Sequence, residues 1–381
     1  MIIIVYKSLI QVGGAEKFLH EFFYNLKKYH EVKIMCKEYD KDVLKFFNID
    51  KNHIISPLKN NYWSWFYLLF TKIKRNQTII VHSGFKDIYL ISILKKFKQI
   101  LFIHHPYFNS LDHFDLLSFI HFKRKKAFIK SKENKSFYKK LEEKAKKKTN
   151  YFLININAIL IYLAFKNASN TVVLSEYGKK EKREIFNINS NYFPPAISQK
   201  FINEFENFTK IEKENQIIYF GRLSKEKRVD VLINAFNSIN IDYTLKIIGI
   251  GEELENLKDL AHENEKIIFS GFLNDKDLFR EIKKSKLLVT LEWADYNLTV
   301  YESIILGTRV LFGKTFEVEK NDDKLIKNNM LFYCNPSKND VAEKIIKIIN
   351  LKNPELSDYS FLKNNTWERY VLKFSNEILK L

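Results

Sequence analysis

The chain has 381 residues, 46% hydrophobic and 28% charged, with 63 Lys and Arg against 45 Asp and Glu for a formal net charge of +18. That length predicts two domains of roughly 150–200 residues, each with enough apolar residues for its own core. Met1 leads directly into an apolar β-rich run, so no secretory leader is expected, and the longest apolar run, residues 151–165, is broken by Asn155 and Asn157 and is shorter than the roughly 20 residues of a spanning helix.

In chain order, β-rich runs are predicted at 2–6, 31–36, 53–56, 78–83, 99–105 and 171–175, with helical patterns over 15–27, 62–74 and 86–97. Alternation of short buried strands with helices predicts a doubly wound α/β domain over residues 1–198. Gly13-Gly14 follows the first run, where a turn needs backbone only glycine supplies. His82, Ser83 and His104 end neighbouring runs at the sheet edge where ligands of such folds collect. The aromatic stretch 60–75 reads as a sheet-covering helix packed in the core; the rival reading is a membrane-facing mouth. Residues 107–150 break the rhythm as an insertion, and 151–167 are predicted helical. After Pro194-Pro195 the polar residues 198–215 read as a linker. A second α/β series over 214–355 has strands predicted at 217–221, 243–249, 266–271, 286–291, 308–313 and 330–334.

The chemistry gathers in this second series. A β-branched run stops at Gly221, Arg222 follows at once, and Lys227 comes five residues later, just before a helical pattern carrying Val229, Leu232, Ile233 and Phe236. The apolar run Leu287–Leu291 leads through a polar loop into a helix bearing Glu302. Backbone amides near Leu298, Thr299 and Val300 would then point out of a helix N-terminus, a setting that favours an anion.

These two stretches, with Gly13-Gly14-Ala15-Glu16, His104-His105-Pro106, Ser175-Glu176-Tyr177 and Pro194-Pro195, resemble the retaining glycosyltransferases of family 4. The resemblance implies a GT-B fold, two Rossmann-like domains facing across a cleft, and transfer of a hexose from a nucleotide-diphosphate sugar to a glycan or lipid-linked acceptor. It implies that Arg222 and Lys227 hold the diphosphate, that Glu302 takes the ribose hydroxyls, and that Gly13, Gly14, Asn297, Leu298, Thr299 and Val300 line the donor. It places His104, with His105 as competitor, beside the reacting sugar, lets Ser175 and Tyr177 help close the cleft, and sends residues 356–381 back to the first domain. The chain departs from the family at the first of its paired glutamates, where Ala294 stands; Asp295, Glu292 or neither takes that place.

No cluster of His, Cys and carboxylates has metal-ligand spacing. Asp40-Lys41-Asp42 and Asp275-Lys276-Asp277 read as turn and helix-cap residues, so no metal or other cofactor is expected. Cys36 and Cys334 read as buried free thiols in a reducing, cytoplasmic setting. Between Lys123 and Lys148 stand thirteen Lys and Arg against three Glu. This is either a solvated face or, with aromatic residues interleaved over 122–148, a surface for anionic lipid, nucleic acid being the weaker alternative. Two rivals to an enzyme remain: a degenerate nucleotide-sugar-binding protein and a basic nucleic-acid-binding protein.

Overall fold

A computed structural model of the chain describes residues 1–10, 12–57, 61–82, 86–94, 99–104, 163–207, 211–262, 264–292, 297–313 and 322–380. The chain divides into two compact units, one of residues 1–195 with 371–381 and one of residues 196–370.

The first unit runs β1 (Ile2–Leu9), α1 (Gly14–Leu26), β2 (Val32–Tyr39), α2 (Lys41–Phe46), β3 (Ile54–Ile55), α3 (Tyr62–Lys72), β4 (Thr78–His82), α4 (Lys86–Leu94), β5 (Gln99–His104), β6 (Asn170–Val173), α5 (Glu176–Phe186) and β7 (Asn191–Tyr192). Its strands form one parallel sheet in the order β3-β2-β1-β4-β5-β6-β7. The consecutive residues Ile2, Ile3, Ile4 and Val5 are all buried, as expected of a parallel strand covered on both faces. Of the expected helix over 151–167, residues 163–167 are helical and the rest lie outside the described residues, as do 107–150.

The second unit runs α6 (Gln199–Glu206), β8 (Glu214–Phe220), α7 (Val229–Asn237), β9 (Thr244–Ile248), α8 (Leu254–Ala261), β10 (Ile267–Phe269), α9 (Asp275–Lys284), β11 (Ser285–Thr290), α10 (Leu298–Ile305), β12 (Arg309–Gly313), α11 (Asp323–Lys327), β13 (Leu331–Cys334), α12 (Lys338–Ile349) and the start of α13 (Trp367–Phe374). Its parallel sheet has the order β10-β9-β8-β11-β12-β13. Alternate residues of each strand feed two separate cores. Ile217, Tyr219, Leu287 and Val289 meet α7 and α12, whereas Ile218, Leu288 and Val310 meet α6, α9 and α10.

Two expectations are corrected here. The polar stretch after residue 198 is not a linker: it contains α6, whose Phe201, Ile202 and Phe205 are buried in the second unit's core, with the Phe201 ring edge-on to Phe279 at 4.9 Å. Three apolar residues on one helix face outweigh the polar average around them. The return to the first unit begins at Val371 rather than near 356. Tyr359 and Leu362 belong to the second unit's core, and Ile197 N–H donates to Asn365 O at 2.9 Å. Beyond that point Phe374 packs its ring on Phe22 and Phe193 at 5.1 and 5.5 Å. The Ile378 carbonyl accepts from Gln99 Nε2 and Asn170 Nδ2 at 3.1 and 3.3 Å.

Candidate functional site

The strand order reverses between β1 and β4 in the first sheet and between β8 and β11 in the second. Ligands of open α/β sheets bind beyond the carboxyl ends of the strands at such a point.

In the second unit the loop after β8 is set by backbone contacts. Gly221 has φ +152° and Gly249, after β9, has φ +144°. A Cβ on Gly249 would lie 1.8 Å from the Gly221 carbonyl oxygen, so both positions demand glycine. Gly221 and Leu223 donate their N–H groups to the Ile248 and Ile250 carbonyls at 3.0 and 2.9 Å. The loop leaves Arg222 exposed and Lys227, at the end of a 3-10 turn, half-buried. Arg228 follows in the left-handed region at φ 54° and donates from Nη2 to the Pro336 carbonyl at 2.7 Å. That tether fixes the turn carrying Lys227, a role for which the sequence offers no pattern.

The loop after β11 meets it. Lys227 Nζ forms an ion pair with Glu292 Oε2, and the other Glu292 oxygen accepts from Asn297 Nδ2. Asn297 Nδ2 also donates to Thr290 Oγ1 at 3.2 Å, while its Oδ1 accepts the Thr299 N–H at 3.0 Å and caps α10. One chain of polar contacts thus joins the β8 loop cation, a buried carboxylate and the N-terminus of α10. The expectation of open amides there is corrected: the Thr299 N–H is held by the Asn297 side chain and the Val300 N–H by the Asn297 carbonyl at 3.2 Å. Asn297 is itself engaged in this cap. Glu302 is buried, 6% exposed, and not a solvated helix glutamate. Beside it, Tyr301 and Tyr333 donate to Asp322 at 2.9 and 2.5 Å, and burial pushes the Asp322 carboxyl above its usual range against those two hydrogen bonds. Through Asp322 these contacts tie Tyr301 of α10 to Tyr333 of β13. Asp295 and Ala294 lie outside the described residues, so of the acidic candidates Glu292 is the one with a described position.

In the first unit, Gly13 stands before α1 with φ −139°, extended backbone open to any residue, and Gly14 has open space around its Cβ position. The expected need for special backbone angles at this pair is therefore corrected. What limits Gly13 is Glu16, whose Oε2 would lie 2.7 Å from an added Cβ. Glu16 is buried and accepts from Tyr6 Oη at 2.8 Å. Burial, reinforced by Glu16, raises the Tyr6 hydroxyl far above its ordinary range. The His82 ring lies 5.5 Å from Tyr6 and 4.8 Å from Phe18. Tyr6, Glu16 and His82 form a buried cluster at the β1/β4 reversal. The sequence signal was the Glu of Gly-Gly-Ala-Glu, which pattern alone could not place inside. His104 ends β5, its backbone paired with Val173; Ser83 and His105 lie outside the described residues. Ser175 caps α5 by accepting the Gly178 N–H at 2.9 Å, and Ser175 and Tyr177 are both fully buried.

The aspartate triplets are helix-end residues. Asp40 accepts the N–H groups of Asp42 and Val43 at 2.8 and 3.0 Å. Asp275 pairs with Lys200 at 2.7 Å, and Asp277 takes the Asn274 cap of α9 on its N–H.

The comparisons agree with this architecture. Residues 200–364, all within the second unit, match the family model of glycosyl transferases group 1. The whole chain matches, with TM-score 0.67 and 15% identity over 100% of this chain and 99% of the other, the lipopolysaccharide outer core galactosyltransferase WaaB in its apo form. It matches sucrose-phosphate synthase from Thermosynechococcus elongatus with TM-score 0.66 and 13% identity over 100% and 98%. It matches Anabaena HepE in complex with UDP and glucose with TM-score 0.62 and 13% identity over 100% and 98%. The fold is GT-B. An uncharacterized glycosyltransferase of Methanocaldococcus jannaschii is 25% identical over 184 residues, 42% of this chain; the match spans 47% of that relative's length.

Proposed function

We propose that the chain is a retaining, family 4-type glycosyltransferase that moves a hexose from a nucleotide-diphosphate sugar to a glycan or lipid-linked acceptor at the cytoplasmic face of a membrane. The observation that carries this is the Lys227–Glu292–Asn297 contact chain at the β8/β11 reversal, with Arg222 exposed on the same loop. As the glycosidic bond breaks, negative charge builds on the departing diphosphate, and fixed cations there stabilise the transition state. Arg222 offers a fork of donors to phosphate oxygens and Lys227 a point charge. In this reading no divalent metal is required. Glu292, already on Lys227, takes the place of the missing first glutamate: it orients the lysine and faces the sugar hydroxyls, while Glu302 takes the ribose. His104 of the first unit serves the reacting sugar. The relatives' names favour this class: HepE is seen with UDP and glucose, and the pneumococcal O-GlcNAc transferase GtfA, with 10% identity and TM-score 0.63, with UDP and GlcNAc. The basic residues 122–148 lie outside the described residues, and the lipid role expected of them stays part of the proposal.

The test is a thermal-shift panel of uridine, guanosine and adenosine diphosphates and their sugar conjugates without added metal, followed by product analysis with the base that binds. A ligand that binds only the folded state raises the unfolding midpoint with the logarithm of its concentration over its Kd. A shift with one base, lost in Arg222→Ala and Lys227→Ala, is expected. A shift without any transfer or donor hydrolysis would favour a binding protein without turnover, and no shift with any base would remove the donor assignment.

A further inference from the structure

Helix α3 has two apolar faces, one buried and the other largely exposed to solvent. Trp65, Leu69 and Ile73 point inward and are 1%, 0% and 0% exposed. Trp63, Tyr67 and Phe70, spaced i, i+4, i+7 on another face, are 77%, 70% and 46% exposed. The core-packing expectation for this stretch thus holds for one side of the helix and fails for the other. Single exposed apolar residues are ordinary, but a row of three large aromatic rings on one short helix marks an interaction surface.

The charge around the row selects its partner. Residues 61–77 contain no Asp or Glu, and Lys72, Lys74 and Arg75 at the helix end are all exposed. A second copy of a chain with net charge +18 would be repelled at long range. Trp and Tyr are the side chains that settle at the headgroup level, where an apolar body and a polar tip are both satisfied. A helix of 11 residues is about 16 Å long, too short to span but suited to lie in the plane of an interface. Asn61 caps its N-terminus by accepting the Ser64 N–H at 2.8 Å, so the helix is already formed and need not fold on contact.

We propose that the Trp63–Tyr67–Phe70 face of α3 is a docking surface for an anionic lipid bilayer, with the rings seated among the headgroups and Lys72, Lys74 and Arg75 on the lipid phosphates. The surface does not rest on the donor assignment and stands whether or not the chain transfers sugar.

The experiment is flotation of the full chain with phosphatidylcholine vesicles and with vesicles containing about one-third phosphatidylglycerol, comparing wild type with a Trp63→Ser, Tyr67→Ser, Phe70→Ser variant. Because these side chains are exposed, the variant's unfolding midpoint should match wild type, and a nucleotide-induced shift, if present, should persist in it. Wild type is expected to float with the anionic vesicles, and the variant's apparent partition coefficient to fall by about tenfold or more, since the area that enters the interface is gone. Of the four tryptophans, Trp65 and Trp367 are buried and Trp293 lies outside the described residues; in a Trp293→Phe background, lipids brominated near the headgroup should quench tryptophan emission, and adding Trp63→Phe should remove that quenching. Three results would overturn the proposal: no flotation of wild type, equal flotation of the variant, which would put the binding on other basic residues, or a loss of self-association in the variant, which would assign the face to a second copy.

Discussion

The Lys227 ammonium serves two anionic partners at different times, the Glu292 carboxylate in the resting chain and, in the proposed reaction, a diphosphate. Lys227→Ala removes the cation from both. We expect kcat/KM to fall about 100-fold or more, with a stability loss of about 1 kcal/mol because the pair is only partly shielded from water, Lys227 at 26% and Glu292 at 11% exposed. Adding Glu292→Gln to Lys227→Ala should recover most of that stability and none of the activity, as denaturant titration and product assay would show. A second residue-scale effect concerns pH. Lys213, donating to Ser285 O and Thr308 Oγ1 at 2.9 and 3.1 Å, is lowered from 10.5 to about 7 by burial, with Arg309 adding repulsion. Between those values the unfolded chain keeps a proton that the folded chain has released, so stability rises with pH there. The buried Cys36 and Cys334 thiols, pushed from 9.0 up to about 12 chiefly by burial, act in the opposite sense above about 9. The unfolding midpoint should therefore climb from pH 7 to about 9 and then decline, and Lys213→Met should flatten the climb; an unchanged profile would refute the burial of this lysine.

At the scale of elements, α10 depends on Asn297, whose side chain caps it while holding Glu292. Asn297→Ala should cost about 1 kcal/mol through the lost cap and should also release Glu292, so a fall in donor affinity larger than that of a neighbouring surface substitution is expected by titration calorimetry. Helix α6 gives a sharper contrast. If residues 199–206 were a linker, Phe201→Ala would be nearly silent; in a packed helix it should cost about 3 kcal/mol, readable from the denaturant midpoint. The long strands were legible because runs such as Ile2–Val5 and Leu287–Val289 are buried on both faces, and such runs announce themselves. Helix α6 was hidden because its three apolar residues sit among polar ones, and the two-residue β7 is shorter than any pattern. The cations Arg222 and Lys227 were legible from a strand, a glycine and their spacing. The contact between Lys227 and Glu292 and the inward turn of Glu16 onto Tyr6 join residues from different segments and leave no local mark, whereas the Asn297 cap on Thr299 is local, two residues apart.

For the whole molecule, two doubly wound units were legible from the repeated alternation of runs, while the point of return at Val371 was not: the resemblance sent all of 356–381, Trp367 and Tyr370 included, back to the first unit. The structure puts them in the second and places Phe374 and Ile378 in the first. Phe374→Ala should destabilise the first unit by about 3–5 kcal/mol, and hydrogen exchange should show faster opening in β1, α1 and β5 than in β8 or β11. Equal protection in both units would count against this division. The same tail dictates an order of events during synthesis. Although the first unit's strands leave the ribosome first, Phe22, Gln99 and Asn170 must wait for partners some two hundred residues or more downstream. A chain released after Tyr370 would therefore carry a complete second unit joined to a first one that lacks its last partners and stays exposed to chaperones.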